Sequence, residues 1–249
     1  MKRKLIELGG SLYASLPSSY TKENNLEKGA EIFINQNKGE LTISTSPKTK
    51  GDSYNIEFNK NEMFIIKRYV TALYRRGYSK IKIKHDKGHK EIIEEVREIL
   101  TRTTIGFEII SQTQTEIIIQ SFANEDNAEL DNTLRRSLYL IKELINASIN
   151  SFSNENYNIR EVENMDIEID KFTNYCLRLI FKGSNIGSYK NIILYNFIKN
   201  LEYFADSICI LCRYARLKNY KLNKIETELI KEISKMFDEF IKLYSNFSI

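Results

Sequence analysis

Two pairs of acidic residues at helical spacing are the feature of the sequence that most suggests chemistry. Asp166 and Asp170 lie in "MDIEIDKF", and Glu202 and Asp206 lie in "NLEYFADSI". Residues four apart on a helix lie on one side of it, one turn apart, so each pair places two carboxylates next to each other. Like charges at this spacing repel, and a cation bound to both carboxylates would offset that repulsion.

The chemistry of the four carboxylates restricts the kind of cation. Neither pair includes a histidine or a cysteine, and oxygen ligands of this kind suit a divalent or trivalent Mg, Ca, Mn or Fe ion. The alternative interpretation is a solvated acidic face, which is common on helices. Metal binding by Asp166, Asp170, Glu202 and Asp206 is therefore one of two open hypotheses.

The helices that carry these pairs are predicted to place them beside an apolar stripe. In the first helix the stripe consists of Val162, Met165, Ile169, Phe172 and Cys176, and in the second of Leu194, Ile198, Leu201, Ala205, Ile208 and Cys212. At 100° per residue both acidic pairs fall on the flank of their stripe, so the two flanks could face each other at a shallow groove.

The last half of the chain is predicted to be a helical bundle. Residues 122–249 contain four long periodic segments at about 126–150, 158–182, 188–218 and 222–246. Short polar connections between long helices favour antiparallel neighbours.

A small α+β segment is predicted for residues 54–121, after a linker at 46–53. It contains a helix that ends at Gly77, a strand in "SKIKIKHD", a helix in "GHKEIIEEVREILTRT" and two short strands, "GFEIISQ" and "TEIIIQSF". His85 and His89 are expected on the surface of this segment, and Arg75 is expected as a surface charge at a helix end.

The first 46 residues are predicted to form a β-rich domain that needs a partner. A strand with a bend or bulge at Gly9 and Gly10 is expected to end at Pro17, and a polar bridge with one helical turn follows. A hairpin is expected from strands Ile32–Asn35 and Leu41–Ser44. So small a segment lacks the apolar residues to close a core alone, and two copies exchanging hairpins would supply it.

Composition excludes several classes of protein. The chain is 42% hydrophobic and 28% charged, which suits a globular core, and no stretch reaches the roughly 18 apolar residues of a membrane span. Three cysteines without metal-type spacing indicate a reducing compartment, so a cytoplasmic location is expected. No Ser/His/Asp arrangement or nucleotide-binding loop is present, and no enzymatic activity is expected.

The first segment resembles the AbrB/SpoVT family of swapped-hairpin DNA-binding domains. The resemblance lies in the basic start, "ELGGSLYASLP", "NLEKGAEIFI" and the short hairpin. It implies a homodimer whose basic side chains bind double-stranded DNA, here Lys2, Arg3, Lys4 and Lys22. Ser11 lies where relatives often have arginine, and Thr21 lies near another such position. The alternative is that this domain only dimerises the protein.

The helical half resembles the PhoU family of phosphate-uptake regulators. "NFIKNLEYFADSICILCRYA" is similar to that family's signature helix, and "VENMDIEIDKFTNYCLRLI" is similar to the helix before it. The resemblance implies a metal cluster held by the two acidic pairs. The sequence departs from the family at Tyr203 and Ala205, where the family has Arg and Gly, and it contains one bundle where bacterial members have two.

The two resemblances together predict an α+β protein that is similar to archaeal regulators of phosphate uptake. Its three parts would be a swapped-hairpin domain at 1–46, a small α+β segment at 54–121 and an antiparallel PhoU-like bundle at 122–249. The expected function is that of a dimeric DNA-binding transcriptional regulator. The alternative is an interaction protein that docks on a phosphate transporter or a sensor partner without binding DNA.

Overall fold

The structure, a computed structural model, describes residues 3–37, 40–45, 53–59, 62–86, 90–122, 129–153, 159–183 and 189–246. The chain divides into two compact units, Met1–Lys50 and Gly51–Ile249. Seven helices and eight strands occur within the described residues, and the predicted α+β class is confirmed.

The first unit contains two separate two-stranded sheets and one short helix. The elements are β1 (Ile6–Leu8), β2 (Ser11–Tyr13), α1 (Ser18–Glu23), β3 (Phe33–Asn37) and β4 (Glu40–Ser44). Both sheets are antiparallel, with Ile6 opposite Tyr13 in one and Ile34 opposite Ile43 in the other. Tyr20 of α1 donates a hydrogen bond to the carbonyl of Ile43 over 3.2 Å, so the helix is fastened to the second hairpin.

Two sequence-based expectations for this unit were wrong in detail. Gly9 and Gly10 do not bend a single strand but form the two-residue turn between β1 and β2. Their φ values are 58° and 78°, a conformation that favours glycine. The second strand ends at Tyr13, and Pro17 instead precedes α1 as its N-cap. Lys38 and Gly39 of the predicted hairpin turn, and residues 46–52 of the predicted linker at 46–53, lie outside the described residues, whereas Ser53 begins a strand.

The second unit begins with a four-stranded sheet covered on one face by helices. Its elements are β5 (Ser53–Phe58), α2 (Met63–Arg75), β6 (Lys80–His85), α3 (Lys90–Thr103), β7 (Phe107–Gln112) and β8 (Glu116–Ser121). The strand order is β5-β6-β8-β7, with β5 parallel to β6 and the other neighbours antiparallel. Strand β5 was not predicted, although Tyr54, Ile56 and Phe58 alternate with polar residues as a strand requires.

The covered face of the sheet forms the first hydrophobic core. Ile81, Ile83, Ile117 and Ile119 of the two central strands are fully buried against α2 and α3. His85 continues this face and is only 6% exposed, so the surface position expected for it was wrong. His89 lies outside the described residues.

Gly77 ends α2 in a conformation that only glycine adopts without strain. Its φ is 86°, and a Cβ atom there would lie 2.8 Å from Cγ of Lys182. The amides of Gly77 and Tyr78 bond back to the carbonyls of Tyr74 and Leu73, which is the usual arrangement where glycine closes a helix.

Four long helices complete the second unit: α4 (Glu129–Ser153), α5 (Ile159–Lys182), α6 (Tyr189–Leu217) and α7 (Lys224–Asn246). Stacked rings join Phe197 to Tyr244 and Phe204 to Phe237, so α6 and α7 run antiparallel. No described helix has both the length and the apolar character needed to cross a membrane.

Helix α5 belongs to both hydrophobic cores of the unit. Tyr175 and Leu179 pack in the core beneath the sheet, whereas Cys176, Leu177 and Ile180 pack in the core of the bundle. All three cysteines of the chain are free and buried. Asp166 and Asp170 therefore lie on a helix that packs in both cores.

Candidate functional site

The structure brings the four predicted carboxylates together between α5 and α6. Asp166 and Asp170 lie on α5, and Glu202 and Asp206 lie on α6. The charges of Glu202, Asp166 and Asp206 all act on Asp170, and those of Asp166 and Glu202 act on Asp206. We call these four residues the carboxylate cluster.

Asp170 has the most unfavourable position for a negative charge in the carboxylate cluster. Burial, followed by the negative charges of Glu202, Asp166 and Asp206, raises its pKa to about 7, and the guanidinium of Arg75 opposes this in part. Burial also raises the pKa of Asp206, against the opposing charges of Lys199 and Arg213. Near neutral pH the neighbouring cations therefore do not fully compensate the negative charge of Asp170.

Asp166 is partly buried, and its charge is incompletely compensated. Burial raises its pKa, and Cys209 and Arg213 lower it in part. Its Oδ2 lies 3.6 Å from Nη2 of Arg213, while its Oδ1 is buried and has no hydrogen-bond donor among the described residues. Next to it, burial raises the pKa of the Cys209 thiol to about 12, so this thiol stays protonated at neutral pH.

Glu202 is the member of the cluster that the protein itself neutralises. Arg75 Nη2 donates to its Oε1 over 3.2 Å, and Lys199 Nζ donates to its Oε2. Arg75 Nε also donates to Oδ1 of Asn174 over 2.6 Å, and Nδ2 of Asn174 donates to the carbonyl of Thr103 over 2.9 Å. A continuous chain of polar contacts thus runs from α2 and α3 through α5 to α6.

The oxygen donors of the cluster suit a hard cation, but their present spacing does not enclose one. Among the residues that the structure describes, no three His, Cys, Asp or Glu side chains lie close enough together to hold one ion. Because Glu202 is already paired with Arg75 and Lys199, the side chains available to a cation are those of Asp166, Asp170 and Asp206. Binding would require these three to move closer together.

The residues predicted to contact DNA lie in the first unit. Arg3 and Lys4 precede β1 and are exposed, and Lys22 is exposed in the last turn of α1. Lys2 lies outside the described residues. Arg3, Lys4 and Lys22 are therefore available to a partner.

Arg75 should contribute to stability because it satisfies two buried groups. We expect Arg75→Met to lower the free energy of unfolding by about 2 kcal/mol, since Asn174 and Glu202 would each lose a buried donor. Arg76→Met is the matched control, because Arg76 is the exposed neighbour at the same helix end, and a change within about 0.5 kcal/mol is expected there. Denaturant unfolding of both variants measures the difference, and equal losses would show that the Arg75 contacts contribute nothing.

Sequence reasoning missed the partners of the carboxylates. Arg75 was expected as a surface charge, and no local pattern could reveal a partner that lies 127 residues away in the chain. Lys199 could have been recognised, because it precedes Glu202 by three residues on one helix and such pairs form salt bridges. Asn174 and Cys209 gave no signal beyond their place near an apolar stripe.

Comparison of the chain with models of known protein families, with curated proteins and with solved structures gave no match. The exposed apolar surfaces, the charges and the contacts of the chain itself are therefore the basis on which a function can be proposed.

Proposed function

We propose that the chain is a dimeric, cytoplasmic, DNA-binding transcriptional regulator without enzymatic activity. The first unit would bind DNA, and the helical bundle would receive a signal connected with phosphate uptake. The observation that carries this proposal is the exposure of the apolar residues of the first unit. Seven of its large apolar residues are more than half exposed: Leu5, Ile6, Leu8, Leu12, Tyr13, Ile34 and Leu41.

A unit of this kind needs a partner to close its interior. None of its side chains described by the structure is buried, and strands β1 and β2 have three residues each. An isolated hairpin is marginally stable in water, and burying one leucine contributes about 1.5–3 kcal/mol. A second copy offers the same exposed residues, and interlaced hairpins would bury both sets in one interface with two-fold symmetry.

Dimerisation would also double the basic groups presented to DNA. Lys2, Arg3, Lys4 and Lys22 of each copy would contact phosphates, which gives affinity without sequence information. Residues 1–50 carry eight lysines and arginines against five glutamates, so the unit attracts an anionic partner.

The salt dependence of DNA binding tests the proposal. We expect retention of upstream regions of phosphate-transport genes in gel shifts at low salt. The combined change Arg3→Ala, Lys4→Ala and Lys22→Ala should make the salt dependence shallower. If each dimer loses six phosphate contacts, the magnitude of the slope of log affinity against log salt should fall by about 5. The matched control is Lys231→Ala, Lys235→Ala and Lys242→Ala on α7, which removes the same charge and should leave the slope unchanged.

The alternative function is an interaction protein that uses the first unit only for dimerisation and docks on a phosphate transporter or a sensor partner. The exposed acidic residues Glu7, Glu23, Glu27 and Glu31 of the first unit favour it, because they would repel phosphate groups near Arg3, Lys4 and Lys22. Absence of retention even at low salt would reject DNA binding in favour of this function.

We place the signal-receiving site at the carboxylate cluster. Asp166, Asp170 and Asp206 would bind a divalent or trivalent Mg, Ca, Mn or Fe ion, with Glu202 as a fourth ligand if it leaves Lys199 or Arg75. A bound cation would supply the positive charge that these partly buried carboxylates lack. Arg75 and Asn174 connect the cluster to α2 and α3. A change of charge at Asp170 would therefore alter the contacts of the two helices that cover the sheet.

A further inference from the structure

Helix α6 is apolar on two sides. Its inner side contributes Ile198, Leu201, Ala205, Cys209 and Cys212 to the core of the bundle. Its outer side carries large apolar residues that are between 53 and 81% exposed: Tyr189, Ile192, Tyr203, Ile210, Tyr214 and Leu217. Large apolar residues that line up on an exposed face commonly mark a protein–protein interaction surface, so the outer side of α6 is a candidate interface.

The six exposed residues form one stripe along the whole helix, which we call the outer stripe. Successive members are 3, 11, 7, 4 and 3 residues apart, and each interval is close to a whole number of helical turns. Asn196, Lys199 and Ser207 fill the remaining positions of the stripe, so it contains no acidic residue. Its single cation, Lys199, is turned towards Glu202.

The charged face of helix α7 shows what a solvated helix face of this protein looks like. It carries ion pairs three residues apart, between Glu228 and Lys231, Glu232 and Lys235, and Glu239 and Lys242. A separate face of α7 exposes the apolar residues Ile225, Leu229, Met236 and Leu243. The outer stripe of α6 has none of this charge, whereas enrichment in tyrosine and depletion of charge are typical of the core of a protein interface.

We propose that the outer stripe of α6 packs against the outer stripe of a second copy of the chain. The stripe covers 29 residues, or about 43 Å at 1.5 Å per residue. A stable interface needs roughly 800 Å² from each partner, which a strip of this length supplies once the flanking turns of the helix contribute. Tyr203 lies midway between Tyr189 and Leu217, so in a parallel or an antiparallel two-fold pair it meets its own counterpart.

A second copy suits this surface better than an unrelated protein for a further reason. If the first units interlace as proposed above, the second α6 is already tethered nearby, at an effective concentration in the millimolar range. A modest apolar contact is then sufficient for pairing. This part of the argument rests on the proposed function, whereas the lack of charge and the length of the outer stripe do not.

The pairing of α6 would be coupled to the carboxylate cluster through Lys199. Its Nζ donates to Glu202 and lies 4.8 Å from the centre of the Tyr203 ring. Glu202 belongs to the cluster and Tyr203 to the centre of the outer stripe. Any cation that displaced Lys199 from Glu202 would therefore change the contact of Lys199 with the ring at the two-fold axis.

Cysteine cross-linking of the full-length protein tests the pairing directly. The native cysteines are buried, so the wild-type protein should give no disulfide-linked dimer under mild oxidation. We expect Tyr203→Cys to form the linked dimer at least ten times faster than Lys235→Cys. Lys235 is the matched control because it lies on the charged face of α7, outside the stripe, and its side chain is exposed. Equal rates for the two variants would overturn the inference.

A second change distinguishes packing from chance collision within a tethered dimer. Ile210→Glu places a charge in the exposed stripe without touching the core, and it should slow the cross-linking of Tyr203→Cys at least tenfold. Undiminished cross-linking would reject the inference. Two measurements separate helix pairing from the interlaced hairpins. If the Ile210→Glu protein still sediments as a dimer although its Tyr203→Cys cross-link is lost, both the interlaced hairpins and the pairing of α6 are supported. If Tyr203→Cys still cross-links when Leu12→Glu places a charge in the first unit, helix pairing is supported without interlaced hairpins.

Discussion

Asp170→Asn is expected to raise the free energy of unfolding of the metal-free protein at pH 8 by about 4 kcal/mol. The pKa of Asp170 is raised from 3.8 to about 7. Between these two values the folded protein holds a proton that the unfolded chain has released, so wild-type stability falls as pH rises from about 4 to about 7. An asparagine has the same shape without the charge, and it removes this loss.

The effect of Asp170→Asn should depend on pH in a defined way. At pH 5 the gain should be about a third of its value at pH 8, because each pH unit above the unfolded pKa costs about 1.4 kcal/mol. Denaturant unfolding with a chelator at both pH values measures this difference. Glu239→Gln is the control, since Glu239 is exposed on α7; a gain at Asp170 that is independent of pH would contradict the explanation.

The same two proteins report on cation binding. At pH 8, adding Mn²⁺ or Mg²⁺ should stabilise the wild type, because a cation offsets the charge of Asp170 and its neighbours, and should leave Asp170→Asn unchanged. Equal stabilisation of both proteins would place the cation elsewhere, and no stabilisation would leave the carboxylate cluster as a charged contact between helices.

Arg178→Ala is expected to lower the free energy of unfolding by about 4 kcal/mol. Arg178 of α5 is fully buried, and its guanidinium lies 4.9 and 4.7 Å from the ring centres of Tyr74 and Phe107. Its Nη1 donates to the carbonyls of Tyr74 and Tyr78 over 2.7 and 2.8 Å. Alanine removes both hydrogen bonds and leaves a cavity where α5 meets the end of α2.

Two further variants identify the source of this loss. Arg178→Met retains part of the side-chain volume and should lose less than alanine, because the cavity contribution is reduced. Arg136→Ala on α4 removes an exposed arginine and should change the free energy of unfolding by less than about 0.5 kcal/mol. A loss below about 1 kcal/mol for Arg178→Ala would show that solvent replaces the side chain without cost.

Local sequence patterns were sufficient for the helices but not for the contacts between them. Helix α5 was predicted at 158–182 and lies at Ile159–Lys182, because its apolar residues repeat at helical spacing through the whole segment. Strand β5 was missed because it follows a polar segment and only Ile56 and Phe58 of it are buried. His85 was misjudged because its polar ring continues the buried face of a strand.

The positions of the carboxylates could be predicted, but their environment could not. Helical periodicity alone placed Asp166, Asp170, Glu202 and Asp206 on the flanks of two apolar stripes. The cations near them come from α2 and from other turns of α6, and only the tertiary fold brings Arg75 to Glu202. Charge compensation of a buried acid is decided by such distant partners, which spacing along the chain does not encode.

The double role of α5 has a consequence for how the second unit responds to heat. Because residues of one helix contribute to both cores, the sheet layer cannot lose its packing while the bundle keeps its own. The two halves should therefore melt in one cooperative transition. The amides near Tyr175 and Leu179 should exchange with solvent only when the whole unit opens.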